Sequence, residues 1–242
     1  MTPRLRMFGG PNGSGKSTIK SIVSPSLLGY YLNPDDIEKA VKECDYFDMR
    51  DLGINTTQNE IINFFENHPL LSATECGDFY QSIQFSNNEF ISFRNVGFDS
   101  YMSAILVDFL RHKYLDTHQS FTFETVMSSD DKIGIMKKAQ QKGYKTYLYY
   151  VATENPDINL LRIHQRVQMG GHSVPSNKVV SRYFRSLDLL SEAIKYSNRA
   201  FIFDNSSNIT TWLAEITNGV DLKLQVDDTP IWFKNHVLNK MN

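Results

Sequence analysis

Residues 9–18 read GGPNGSGKST, and from Gly10 through Gly15, Lys16 and Ser17 they satisfy the spacing GxxxxGK[ST]. The apolar run LRMFG before this segment reads as a strand and STIKSIV after it as a helix. The glycines must therefore turn the chain from strand to helix within a few residues. A backbone turned so tightly points successive N–H groups inward beside the positive end of the helix, which makes a cradle for phosphate oxygens. Gly10, Pro11, Asn12, Gly13, Ser14, Gly15, Lys16, Ser17 and Thr18 form the expected ATP-binding segment. Within it, Lys16 is expected to reach the β- and γ-phosphates and Ser17 to ligate Mg²⁺.

A chain of 242 residues, 41% of them hydrophobic, holds one large α/β domain or two small ones. The formal net charge is −2 and no run of five basic residues occurs, so neither nucleic acid nor a membrane surface is an expected partner. Cys44 and Cys76 stand in no metal-ligand spacing, and the N-terminus reads without an apolar leader. Both observations fit a reducing, ATP-supplied cytoplasm. No run of 18 apolar residues is present to span a bilayer.

Short apolar runs alternate with amphipathic segments, the pattern of a parallel sheet flanked by helices. Strands are expected at 4–9, 29–32, 119–124, 144–151 and 199–204, the last four rich in aromatic and β-branched residues. Chemistry is then sought just after each strand, because open α/β sheets bind ligands outside the carboxyl ends of their strands. Between 44 and 98 the alternation stops. This stretch has eight acidic against two basic side chains, leaving the rest of the chain net +4, and it reads as an acidic, helical insertion. A helix at about 99–116 resumes the core pattern, with Met102, Ile105, Leu106, Phe109 and Leu110 on one face. The tail holds DLKLQVDD, a last strand, and WFKNHVLNKM, a short terminal helix.

Four constellations could carry chemistry. After the second strand, NPDDIEK offers Asn33 as N-cap, Pro34 as first helical residue, and Asp35 and Asp36 as first-turn acids. Asp35 reads equally as a general base placed to accept a proton from an attacking hydroxyl. The third strand ends in FTFETVMSSD, where Glu124 and Thr125 either meet a substrate and the Mg²⁺ shell or bond the loop backbone, and Ser128, Ser129 and Asp130 offer the next helix cap. Residues 160–190 gather Arg162, Arg166, Arg182 and Arg185 around a GGH turn containing His172. A helix–turn–helix bearing arginines suits a lid that offsets charge on a transferring phosphoryl group and excludes water. Asp204 and Asn205 close the fifth strand: Asp204 either bonds the phosphate loop or the adenine-side backbone, or the two residues form a turn.

With these residues assembled, the chain resembles the zeta-toxin-like P-loop kinases, in the branch described as predicted ABC-type ATPases or kinases. The resemblance rests on GGPNGSGKST, LNPDDI, FETVMSS and RVQMGGHSVPSNKVVSRYFRSLDLL with IFDNS after it, across 4–42 and 100–206. It implies an α/β P-loop NTPase three-layer sandwich with a mainly parallel sheet, as one domain over 1–242 with an insertion at about 44–98 and a lid at about 160–185. It also implies ATP- and Mg²⁺-dependent phosphorylation of a small hydroxyl compound, a UDP-activated amino sugar in zeta toxins proper. Asp35 matches the family's general base, Lys16 and Ser17 its phosphate and Mg²⁺ residues, Glu124 its substrate or metal contact, and Arg166 and Arg182 its lid arginines. LNPDDI has Pro where the family usually has Ala, and FETVMSS has Val where a second Thr is common. An antitoxin protein is an implied partner. The alternatives are a partner-gated toxin or switch module and a plain ATPase.

Overall fold

The computed structural model describes residues 2–72, 79–171 and 173–241. In chain order its elements are β1 (Arg4–Gly9), α1 (Lys16–Ile22), α2 (Pro25–Leu28), β2 (Tyr30–Leu32), α3 (Pro34–Cys44), β3 (Tyr46–Asp48), α4 (Gln58–Glu66) and α5 (Pro69–Ser72). Then come β4 (Gln84–Ser86), β5 (Phe90–Ser92), α6 (Ser100–Asp116), β6 (Phe121–Thr125), α7 (Asp131–Gln141), β7 (Lys145–Ala152), α8 (Pro156–Gln168) and α9 (Ser176–Asp188). The chain closes with α10 (Leu190–Lys195), β8 (Arg199–Asp204), β9 (Thr211–Thr217), β10 (Asp221–Leu224), α11 (Ile231–Phe233), a π turn at Lys234–Leu238 and α12 (Asn239–Met241). The chain divides into two compact units, Met1–Gly29 with Ser120–Asn242, and Tyr30–Gln119.

In the first unit six strands run in the order β10-β9-β8-β7-β1-β6. β1 pairs in parallel with β6 and β7, and β7 with β8, while β9 and β10 continue antiparallel. Strands buried on both faces read as nearly unbroken apolar runs, and Leu5, Met7, Phe8, Phe121, Phe123, Leu148, Tyr150, Ala200 and Ile202 are all fully buried. On one face Phe8, Val151 and Phe203 pack with Ile19 of α1 and Leu28 of α2. On the other, the Tyr150 hydroxyl lies 3.0 Å from Ser186 Oγ of α9. Helices on both faces of a mainly parallel sheet give the three-layer α/β arrangement expected from the sequence.

The parallel register lines Gly9 up with Thr125 and Tyr150, and Ala152 with Asp204. The ends of β1, β6, β7 and β8 therefore share one edge, where a doubly wound sheet binds ligands. The five expected strands lie where the sequence put them, to within two residues. β9 was not anticipated. It runs antiparallel beside β8 with a bulge between Ile202 and Phe203, and its buried Leu213 and Ala214 are consecutive, so the period-2 signal is broken.

The second unit is built on α3 and α6, joined by a 2.5 Å bond from Ser103 Oγ to the Pro34 carbonyl. The α6 face expected to be apolar is buried, including Met102, Ile105, Leu106, Phe109 and Leu110. The stretch 44–98 carries the short helices α4 and α5 and, in addition, an antiparallel sheet in the order β3-β5-β4. Cys76 lies outside the described residues. Thr57 and Glu60 form a reciprocal capping box at the start of α4, and Lys113 Nζ donates to Glu60 Oε2 at 2.7 Å. Replacing Thr57 by Ala should cost about 1 kcal/mol, read as a lower midpoint in urea unfolding. The Lys113 bond first, then that of Thr56, hold the Glu60 carboxyl below its ordinary value of 4.5. A depressed carboxyl favours the fold above its unfolded pKa, and that contribution disappears as pH falls through the folded value. Lys113→Ala should therefore flatten the loss of stability below about pH 4.5.

Candidate nucleotide site

The phosphate loop leaves β1 at Gly9 and enters α1 at Lys16. Gly10 has φ +145° and a Cβ there would stand 2.1 Å from the Val151 carbonyl oxygen, so the loop is pressed against the end of β7. Gly15 has φ +100°, with the space of its missing Cβ taken by Asn205 Nδ2 at 2.1 Å. Both positions require glycine on backbone and steric grounds together.

Several loop carbonyls meet identifiable donors. Lys16 Nζ donates to the Gly10 and Pro11 carbonyls at 3.0 and 3.1 Å. Asn159 Nδ2 donates to the Asn12 carbonyl at 2.6 Å and Asn205 Nδ2 to the Ser14 carbonyl at 2.8 Å. The Gly15 carbonyl accepts from the Thr18 and Ile19 amides. Lys16 is buried, and its ammonium lies 4.0 Å from Glu124 Oε1. The structure thus brings together two residues that sequence reasoning chose from separate motifs.

Glu124 is half-buried at the end of β6 opposite Phe8 of β1. Thr125 is opposite Gly9, and its hydroxyl accepts from the Met127 amide at 3.0 Å, which uses it in the turn after the strand. Ser17 and Thr18 are exposed in the first turn of α1. Arg162 and Arg166 lie on α8 and Arg182 and Arg185 on α9, two helices packed together within the first unit. Arg166 is exposed and Arg182 half-buried. Arg162 Nη2 donates to the Ser207 carbonyl at 3.3 Å, while its Nη1 is buried with no hydrogen-bond partner among the described residues. His172 lies outside the described residues. Tyr183 anchors α9 through a 2.6 Å bond from its hydroxyl to the Thr153 carbonyl, and burial pushes that phenol well above the ordinary tyrosine range.

Asp35 belongs to the second unit, exposed in the first turn of α3. Its backbone N–H donates to Asn33 Oδ1 at 3.0 Å, so the expected Asn33 cap, Pro34 start and first-turn acids are all present. Of the two readings of Asp204, the turn is the one present: its carboxylate accepts from the Ser206 amide and hydroxyl and from Trp232 Nε1 at 2.8 Å, and Asn205 makes the contact with the phosphate loop. At the start of α7 no side chain from Ser128 to Asp130 caps the helix, because Asp130 already has helical backbone angles. Asn159 went unnoticed in the sequence, where an asparagine in the first turns of a helix carries no distinguishing signal.

The residues fit a nucleotide triphosphate. The glycine-lined turn leaves no room for a Cβ at Gly10 or Gly15, and buried Ser14 Oγ and Asn12 Oδ1 have no hydrogen-bond partner among the described residues. Among the described residues no three of His, Cys, Asp or Glu gather to hold a metal ion. The exposed Ser17 hydroxyl in the first turn of α1 and the Glu124 carboxylate beside Lys16 are oxygen donors, the type that suits Mg²⁺. Also among the described residues, no helix is long and apolar enough to cross a membrane.

A family model described as Zeta toxin matches residues 99–217, the span that holds Glu124, the α8–α9 arginines and Asn205. An uncharacterised protein of Haemophilus influenzae is 35% identical over 74 residues, which is 31% of this chain and 53% of that protein. Crystal structures of the AvrRxo1-ORF1:AvrRxo1-ORF2 complex share the fold over 93% of this chain. The native complex gives a TM-score of 0.56 at 14% identity, and the complex with ATP 0.54 at 15%. The chain spans 61% of the length of those solved chains and about half of the Haemophilus influenzae protein. Over residues 99–217 the chain is thus similar to the Zeta toxin family, and its fold is the one seen in the AvrRxo1-ORF1:AvrRxo1-ORF2 structures.

Proposed function

We propose that this protein transfers the γ-phosphoryl group of ATP to a hydroxyl of a small molecule, with a UDP-activated amino sugar as first candidate. The observation that carries the reading is the buried Lys16 ammonium, 4.0 Å from Glu124 at the carboxyl edge of the sheet and flanked by the glycine-lined turn. Supporting it are the Zeta toxin match and the fold shared with a complex crystallised with ATP. In this reaction class catalysis is almost entirely positioning plus electrostatics. The loop amides and Lys16 hold the β- and γ-phosphates, and Ser17 would hold Mg²⁺, which would supply positive charge against the phosphates. Asp35 accepts the acceptor's proton, Glu124 with Thr125 orients its hydroxyl, and Arg166 and Arg182 face the charge that spreads over the transferring group.

Incubation with γ-labelled ATP and a panel of nucleotide sugars and small metabolites should give one labelled, phosphatase-sensitive product. Label released only as inorganic phosphate, at the same rate with every acceptor, would make the protein a plain ATPase and end the kinase reading. Arg166→Ala and Arg182→Ala should each lower transfer about 10²-fold while leaving ATP affinity within a few-fold. That split is measured by comparing turnover with ATP titration.

A protein partner is a second reading, favoured by the ORF1:ORF2 complex to which the fold is similar and by the family's toxin designation. An antitoxin would then copurify from the native host and suppress turnover.

A further inference from the structure

We infer that Asn159 and Asn205 are positioning residues that aim the phosphate loop, each set in its working orientation by a threonine hydroxyl. The inference rests on the nucleotide-site reading. On one flank Thr153 Oγ1 donates to Asn159 Oδ1, leaving Asn159 Nδ2 to hold the Asn12 carbonyl at 2.6 Å. On the other, Thr210 Oγ1 donates to Asn205 Oδ1 at 2.8 Å, leaving Asn205 Nδ2 to hold the Ser14 carbonyl at 2.8 Å. The same threonine–amide–carbonyl order thus occurs twice, from two separate elements, on alternate residues of one loop. Asn159 is fully buried and Asn205 nearly so, at 9% exposure.

In a planar trans peptide the carbonyl and the following N–H point in opposite directions. Holding the Asn12 and Ser14 carbonyls on Asn159 and Asn205 therefore turns the N–H groups of Gly13 and Gly15 away from those two side chains, free to act as successive amides that bind an anion. A glycine-rich loop has many backbone states, and these two bonds select the one that binds phosphate before phosphate arrives. An amide can also rotate to present its oxygen, which would repel a carbonyl. The threonine hydroxyls work against that because each donates to the amide oxygen. Asn159 belongs to α8, the helix that carries Arg162 and Arg166, so the loop and the lid helix are gripped through one side chain.

Titration with inorganic tripolyphosphate reads the loop without any contribution from base or ribose. Asn159→Ala and Asn205→Ala should each weaken tripolyphosphate and ATP about tenfold or more, by similar factors. Thr210→Val should weaken both about threefold and Thr210→Ser should restore them; Thr153→Val and Thr153→Ser should behave the same way. The threonine pair keeps the test informative if an asparagine variant fails to fold, since Val matches Thr in size and Ser restores only the hydroxyl. Wild-type tripolyphosphate affinity in the folded valine variants, or equal weakening by Val and Ser, would overturn the inference. Wild-type protein that binds neither ATP nor tripolyphosphate would instead refute the nucleotide-site reading beneath it.

Discussion

Gly10→Ala should abolish detectable ATP binding and lower the unfolding temperature, the largest effect expected of any single methyl group in this protein. The added carbon would stand 2.1 Å from the Val151 carbonyl oxygen, at φ +145°. Neither partner can move away cheaply. Val151 is paired with Phe203 inside the parallel sheet, and Gly10 directly follows the last residue of β1. Backbone strain of this type costs on the order of 1–3 kcal/mol before the clash is counted, and relief of the clash must displace the loop from the end of β7. Gly143→Ala is the matched control. Its φ of +80° is also unfavourable to alanine, but among the described residues nothing stands within 4 Å of the new carbon. It should cost about 1 kcal/mol of stability and leave ATP affinity unchanged. Isothermal titration together with thermal unfolding separates the two variants; equal behaviour would show that the contact with Val151 does not govern the loop.

Asp35→Asn should lower phosphoryl transfer by about 10² to 10⁴-fold, the range associated with losing a positioned general base, with ATP affinity and thermal stability nearly unchanged. The side chain is exposed, and the cap of α3 is formed by Asn33 Oδ1 accepting from the Asp35 backbone N–H, which the substitution retains. Asparagine keeps the size and loses the proton acceptor. Single-turnover transfer is the measurement, because it isolates the chemical step from product release. Full transfer by Asp35→Asn would remove Asp35 from the mechanism, and a drop in ATP affinity of the same size would make it a binding residue instead.

The phosphate loop, the four parallel-paired strands of the first unit and the α6 core face were legible because each depends on local pattern: glycine spacing, apolar runs and helical periodicity. Glu124 was legible as a charged residue ending an apolar strand, a position that demands a partner, and Lys16 supplies one. What escaped was set by tertiary contact. β9 hides because its bulge and consecutive buried residues break alternation. The β3-β5-β4 sheet hides because each strand has three residues, too few to show a period. The exchange of Asp204 for Asn205 at the loop depended on Trp232, 28 residues away in sequence, which engages the aspartate. Chain position alone could not say which of two adjacent polar side chains would be turned toward Ser14.

That bond to Trp232 also equips the protein with an optical gauge. Of its two tryptophans, Trp232 is 4% exposed and donates to Asp204, while Trp212 is 40% exposed on β9. A water-soluble quencher therefore silences Trp212 first and leaves an emission that originates one residue from the side chain gripping the phosphate loop. Changes in that residual emission as nucleotide is added give a label-free signal from the site's own scaffold.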